Sequence, residues 1–174
     1  NGVTTIFDHH ASFRQIPGSL FAIKDVAQEM GMRACLCYEV SDRDGKQKLQ
    51  ESIRENADFA RWAAAQDSDM IAAMFGGHAL FTLPDEALDA MAQANDGLTG
   101  FHVHVCEGMD DVYDSAQRHG TSSVHRLLDH GAQRRHVRPA GARLRVPLVR
   151  HPLVPELRLP RRRPWRRRAD PRHR

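Results

Sequence analysis

The run Phe101-His102-Val103-His104-Val105-Cys106-Glu107 holds the residues of this chain best suited to chemistry. On a β-strand His102 and His104 point to one face, and Glu107 falls just past the strand's C-terminal end, where parallel α/β sheets place their sites. That spacing suits a divalent ion, zinc or one like it: an imidazole ligates the ion, and the carboxylate three residues on stands beside the activated water without ligating. The carboxylate would then carry a proton to a leaving nitrogen. Two histidines bonded to backbone carbonyls give the same pattern, so the residues alone leave both readings open.

Other residues bear on the same question. His9 and His10 follow Asp8 at the expected end of a strand, where one of them would line a substrate pocket, or else Asp8 caps a turn and His10 faces solvent. His78 reads by itself as a hydrogen-bonded loop residue. Asp42-Arg43-Asp44-Gly45 opens like a calcium loop but lacks the remaining spacing and the bidentate glutamate, so a polar turn is expected. Asp110, Asp111 and Asp114 are placed to favour a helix N-terminus through the macrodipole. Cys35, Cys37 and Cys106 are odd in number, and Cys35-Leu36-Cys37 has the spacing of neither a zinc knuckle nor a redox pair, so free buried thiols are expected.

The elements that position these residues alternate. Val3–Phe7 is strand-like; Leu20–Met30 has helical spacing closed by Gly31; Met32–Val40 is a second strand. Leu49–Ala65 reads as a helix with Phe59 and Trp62 in its core, Met70–Phe75 as a third strand, and Pro84–Ala94 as a helix with proline in its first turn. Gly100–Cys106 is a fourth strand and Asp110–His119 a fourth helix ended by Gly120. Four such alternations predict an α/β fold of right-handed βαβ units on a parallel sheet, either open or an arc of a barrel. Neither GxGxxG nor GxxxxGK[ST] follows any strand, which argues against nucleotide binding.

Composition divides the chain. Residues 1–132 carry 10 Lys+Arg against 20 Asp+Glu, whereas residues 133–174 carry 15 arginines, two acids and seven of the nine prolines. The formal charge of +3 therefore describes neither part. The second part holds no Lys, Ser, Thr, Asn, Ile, Phe, Tyr, Met or Cys. It reads either as a basic arm neutralising nucleic-acid phosphates or, the preferred expectation, as GC-rich DNA translated out of frame, without function. Domain boundaries follow at 1–131 and 132–174. No apolar run is long enough to span a bilayer and the first residues lack a signal peptide, so a cytoplasmic protein without membrane partners is expected.

HVHVCEG resembles the fifth-strand motif of the amidohydrolase superfamily, in the branch of cytosine and guanine deaminases and triazine hydrolases. GVTTIFDHHAS resembles its second-strand segment and GGHALFTLPDE its fourth-strand segment, in the same order and spacing. The resemblance implies a partial TIM (β/α)8-type barrel of about four βα units, strands two to five, ahead of an irregular Arg/Pro-rich tail. It implies a divalent metal, zinc or alternatively iron, with His104 and behind it His102 as ligands. Glu107 would be the general acid/base, His78 would polarise the substrate, and His9 and His10 would line the pocket. The implied reaction hydrolyses a C–N bond in a purine-like or cyclic amidine small molecule. The family's histidine pair on the first strand, its sixth-strand histidine and its eighth-strand aspartate have no counterpart here, so this chain by itself is expected to be inactive and to lose the metal. An uncovered half barrel would also favour a homodimer.

Overall fold

The computed structural model describes residues 2–132. The segment from residue 133, and with it every expectation for the basic tail, lies outside the described residues.

Strand β1 (Thr5–His10) lies parallel to β2 (Arg33–Tyr38), which lies parallel to β3 (Ile71–Ala73). A separate parallel pair joins β4 (Phe75–Gly77) to β5 (Phe101–Val103). Helices α1 (Ser19–Glu29), α2 (Lys46–Ala64), α3 (Asp85–Asn95) and α4 (Met109–His119) each follow a strand, as the alternation predicted.

Beyond shifts of a few residues at element ends, the fourth expected strand among them, which stops at Val103, three departures from expectation bear on the site. β1 runs to His10 because its ladder with β2 continues through His9↔Cys37 and His10↔Tyr38. Asp8, paired opposite Leu36, therefore sits inside a strand and caps no turn. The third apolar run is two short strands, broken at Met74. The cause is a side chain: buried Asn56 accepts bonds on Oδ1 from the amides of Tyr38 (2.9 Å) and Gly76 (3.1 Å) and donates through Nδ2 to the Tyr38 carbonyl at 2.8 Å. A carboxamide on α2 thus replaces ladder bonds where β2 ends and β4 begins. Gly76 is needed there, since a Cβ at that position would lie 2.3 Å from the Tyr38 carbonyl oxygen. The third departure is α5 (Ser123–Ala132), to which periodicity assigned no element. Its Arg126 is buried, reaching Asp85 Oδ1 at 2.6 Å and the carbonyls of Leu80 (2.8 Å) and Leu83 (2.5 Å), which fastens α5 to the start of α3.

Alternation along the strands separates two faces. Ala34, Leu36 and Tyr38 of β2 and Ile71 of β3 point toward the helices and pack with Leu20 and Phe59 in one core cluster. A second cluster gathers Val40, Ile53, Phe75, Leu80, Leu83 and Met91 around β4 and α3. Phe59 is fully buried and the partly buried Trp62 stacks on it with 5.5 Å between ring centroids, as expected for the apolar side of α2. The opposite face of the strands carries Phe7, His9, Cys35, Cys37 and His102.

Candidate functional site

The site begins where β5 ends. His102 lies within that strand and His104 one residue past it, two positions apart on one face. The chain then turns sharply at Cys106, whose φ of 57° is in the left-handed region a non-glycine residue rarely enters. Asp111 holds this turn: its Oδ2 accepts from the amides of Cys106 (2.5 Å) and Glu107 (3.3 Å), while Oδ1 accepts from the Ser123 hydroxyl at 2.9 Å. Asp111 is 3% exposed, so its role exceeds the macrodipole effect the sequence suggested: an acid in the first helical turn reaches back to unpaired amides. The turn leaves Glu107 Oε1 3.2 Å from His104 Nδ1.

β1 brings His9 to the same place. Its ring lies edge-on to His102 at 4.5 Å between centroids and stacks on His104 at 4.7 Å. His9 Nδ1 is 3.8 Å from Cys37 Sγ, the residue paired with it across the ladder. The side chain of His9 is only 10% exposed, and its Nε2 is buried with no hydrogen-bond partner, 3.8 Å from Glu39 Oε2. Burial, with the neighbouring His102, His104 and His78, pulls its pKa down to about 3. Burial likewise lowers His102, with His104 adding to it, and pushes the Cys37 thiol up.

His78 follows β4. Its Nδ1 is 2.7 Å from Thr82 Oγ1, and that hydroxyl donates its one proton to the Ala79 carbonyl at 2.7 Å. Thr82 must therefore accept from His78 Nδ1–H, which leaves Nε2 of the neutral ring as an acceptor, 3.9 Å from Glu39 Oε1. Burial lowers the His78 pKa, although Glu39 opposes the shift.

Of the residues singled out in sequence, His9, His78, His102, His104 and Glu107 converge. His10 does not: it projects from the other side of β1, bonds Ser12 Oγ at 2.8 Å and packs edge-on against Tyr38. Cys37 and Glu39 were not singled out as site residues. The two-residue period of β2, running Cys35, Cys37, Glu39 on the face shared with His9, is the signal that would have found them. Asp42–Gly45 is the expected polar turn, closed by the Gly45 amide on the Asp42 carbonyl at 3.0 Å. Cys35 and Cys106 are free but only partly buried, so the expected burial holds for Cys37 alone.

Imidazole nitrogens beside a carboxylate and a thiol are the donors a borderline ion such as zinc prefers. The orphaned, buried Nε2 of His9 shows that this inner histidine is not satisfied by the protein itself. The residues present therefore fit a divalent metal. Among the described residues no helix is long and apolar enough to cross a membrane.

Comparison with known proteins agrees with this chemistry. The 5-methylthioadenosine/S-adenosylhomocysteine deaminase of Pelotomaculum thermopropionicum is 34% identical over 133 residues, covering 74% of this chain and 28% of that enzyme. Among solved structures, a zinc-bound adenosine deaminase from Xanthomonas campestris superposes with a TM-score of 0.60 at 20% identity, over 75% of this chain and 28% of its own. A zinc complex of an atrazine chlorohydrolase from Arthrobacter aurescens gives 0.60 at 19% identity, over 75% and 32%. This chain thus spans about 28% of the relative's length, and the two structures show the fold it shares. The model of the amidohydrolase family matches residues 1–146, and with His104 and Glu107 paired at the end of a parallel strand, the chain belongs to that enzyme family.

Proposed function

We propose that this protein takes part in the metal-dependent hydrolysis of a C–N bond, the deamination of an adenosine-like nucleoside or a related purine. The observation that carries the reading is the 3.2 Å approach of Glu107 to His104 on a turn fixed by buried Asp111. A carboxylate so placed is a proton carrier held next to a metal ligand.

In this reading His104 ligates a divalent ion, zinc before iron, and His102 stands behind it. The ion, when bound, supplies the Lewis acidity that makes water a nucleophile at neutral pH. Glu107 accepts the proton from the attacking water and delivers it to the departing amine. His78, fixed by Thr82 with its Nε2 lone pair outward, accepts a hydrogen bond from a substrate N–H when neutral, which modifies the polarising role expected of it. His9 forms the floor of the substrate site, and His10, turned toward Tyr38, stays outside it. The strands form one arc of a barrel in which β3 and β4 are a single strand kinked at Met74, giving four βα units.

Residues 2–132, grafted in place of the matching segment of the Pelotomaculum deaminase, provide the test. The graft should release ammonia from methylthioadenosine with zinc present, and Glu107→Gln should lower kcat by about 10²–10⁴-fold, the usual worth of a positioned proton carrier. A folded graft whose rate is unchanged by Glu107→Gln would remove the reading.

A further inference from the structure

Beneath His104 lies a set of donors that the hydrolase reading does not use together: it places His9 at the floor of the substrate site and His102 behind His104, and gives Cys37 no role. His9, Cys37 and His102 each offer a ligand atom, and these three atoms lie within 4.8 Å of one another. They come from three strands: His9 and Cys37 face each other across the β1–β2 ladder, and His102 sits opposite Gly76 on β5. His102 precedes His104 by two residues, which places it about 6.6 Å further back along the strand direction. Cys37 is 1% exposed, and its Sγ has the Asp8 carbonyl at 3.5 Å and His9 Nδ1 at 3.8 Å as hydrogen-bonding neighbours. The His9 imidazole is nine-tenths buried, with Nε2 making no hydrogen bond. Gly76 keeps the space open on the far side, since a Cβ there would lie 3.0 Å from Cys37 Sγ.

We propose that His9, Cys37 and His102 form a second, thiolate-containing metal site on the inner face of the sheet, selective for a thiophilic ion of the zinc class and distinct from the ion held through His104. Two nitrogens and one sulfur suit zinc or cobalt(II) in tetrahedral geometry, with the fourth position left to water. Tetrahedral ligands at zinc distances stand roughly 3.3–3.8 Å apart, so the three donors need to close by about 1 Å, within reach of small χ rotations. On binding, the Cys37 S–H bond breaks, its proton leaves to solvent, and the sulfur lone pair forms the S–metal bond; no electron transfer is involved. The site needs neither substrate nor turnover, so it stands or falls apart from the hydrolase reading.

Cobalt(II) titrated into the full 174-residue chain tests it. The sequence has three cysteines and none after Cys106, so any sulfur-to-cobalt charge-transfer band reports on these residues alone. One equivalent of cobalt should produce that band together with intense tetrahedral visible bands, and zinc should abolish both. The charge-transfer band should vanish in Cys37→Ser and persist in Cys35→Ala, Cys106→Ala, His104→Asn and Glu107→Gln. His9→Ala and His102→Ala should each weaken cobalt binding at least tenfold. Metal should also shield Cys37, and not Cys35 or Cys106, from alkylation in the unsubstituted chain, a readout that does not depend on any variant folding. Absence of a thiolate band, a band that survives Cys37→Ser, one that disappears with His104→Asn, or equal alkylation of Cys37 with and without metal would each overturn the second site.

Discussion

The two faces of the β1–β2–β3 sheet are made from alternate residues of the same strands, yet they are built on opposite terms. The helix-facing side sets Ala34, Leu36 and Ile71 against Leu20 and Phe59, all 6% exposed or less. The other side leaves Phe7 66% exposed and crowds His9, His102 and His104 ring against ring beside a thiol and a carboxylate. Close-packed apolar groups lower the free energy of the fold, whereas His9 and His102, whose protonation is resisted first by burial and then by neighbouring imidazoles, add little to it. A face that gives up stabilisation in this way is where function is expected.

Substitutions can break that contrast. On the helix-facing side, Leu36→Ala or Phe59→Ala should cost about 3–5 kcal/mol in urea unfolding, because each is 0% exposed and leaves a cavity. A comparable cost from His102→Ala would erase the distinction. Asn56→Ala, at the seam between the two sheets, should cost about 3 kcal/mol by orphaning the amides of Tyr38 and Gly76 and the Tyr38 carbonyl. If β3 and β4 are one kinked strand, amide exchange in that variant should quicken on both. Gly76→Ala should cost about 1–3 kcal/mol by overpacking against Tyr38, measured in the same unfolding series.

Acid gives a smaller effect. Burial would raise the Asp85 carboxyl, but hydrogen bonds and charge from Arg126, helped by His130 and His119, hold it below its ordinary value. The stability this pairing contributes is present above the unfolded carboxylate pKa of about 3.9 and is lost as pH falls through the lower folded value. Asp85→Asn should therefore flatten the acid limb of the unfolding midpoint without touching the histidine face. The smallest stability change is expected from Glu107→Gln, within about 0.5 kcal/mol for a half-exposed side chain, while the graft's turnover falls steeply.

Much of this was visible in the residues. The period of 3.6 in Leu49–Ala65 and the β-branched start of β1 fixed elements, because burial of one face is a local pattern that packing then rewards. His104 and Glu107 were found from spacing and resemblance, and the turn delivers them together as expected. The break at Met74 was not visible, because it comes from a carboxamide 18 residues before in sequence, reaching across from α2. Cys37 and Glu39 escaped for a related reason: a cysteine in an apolar strand looks like core until the fold shows which face is covered.

The amino-acid order alone determined the α/β alternation, the contrast between residues 1–132 and the arginine-rich segment, and the pairing of His104 with Glu107, since each depends on neighbours within a few positions. Only the tertiary structure decided that His9 joins that pair while His10 turns away, that Thr82 sets the tautomer of His78, and that Cys37 closes a ring of donors with His9 and His102. The placement of His9, His10, Cys37 and His102 depends on strand register, and a one-residue slip would move each of these side chains to the opposite face.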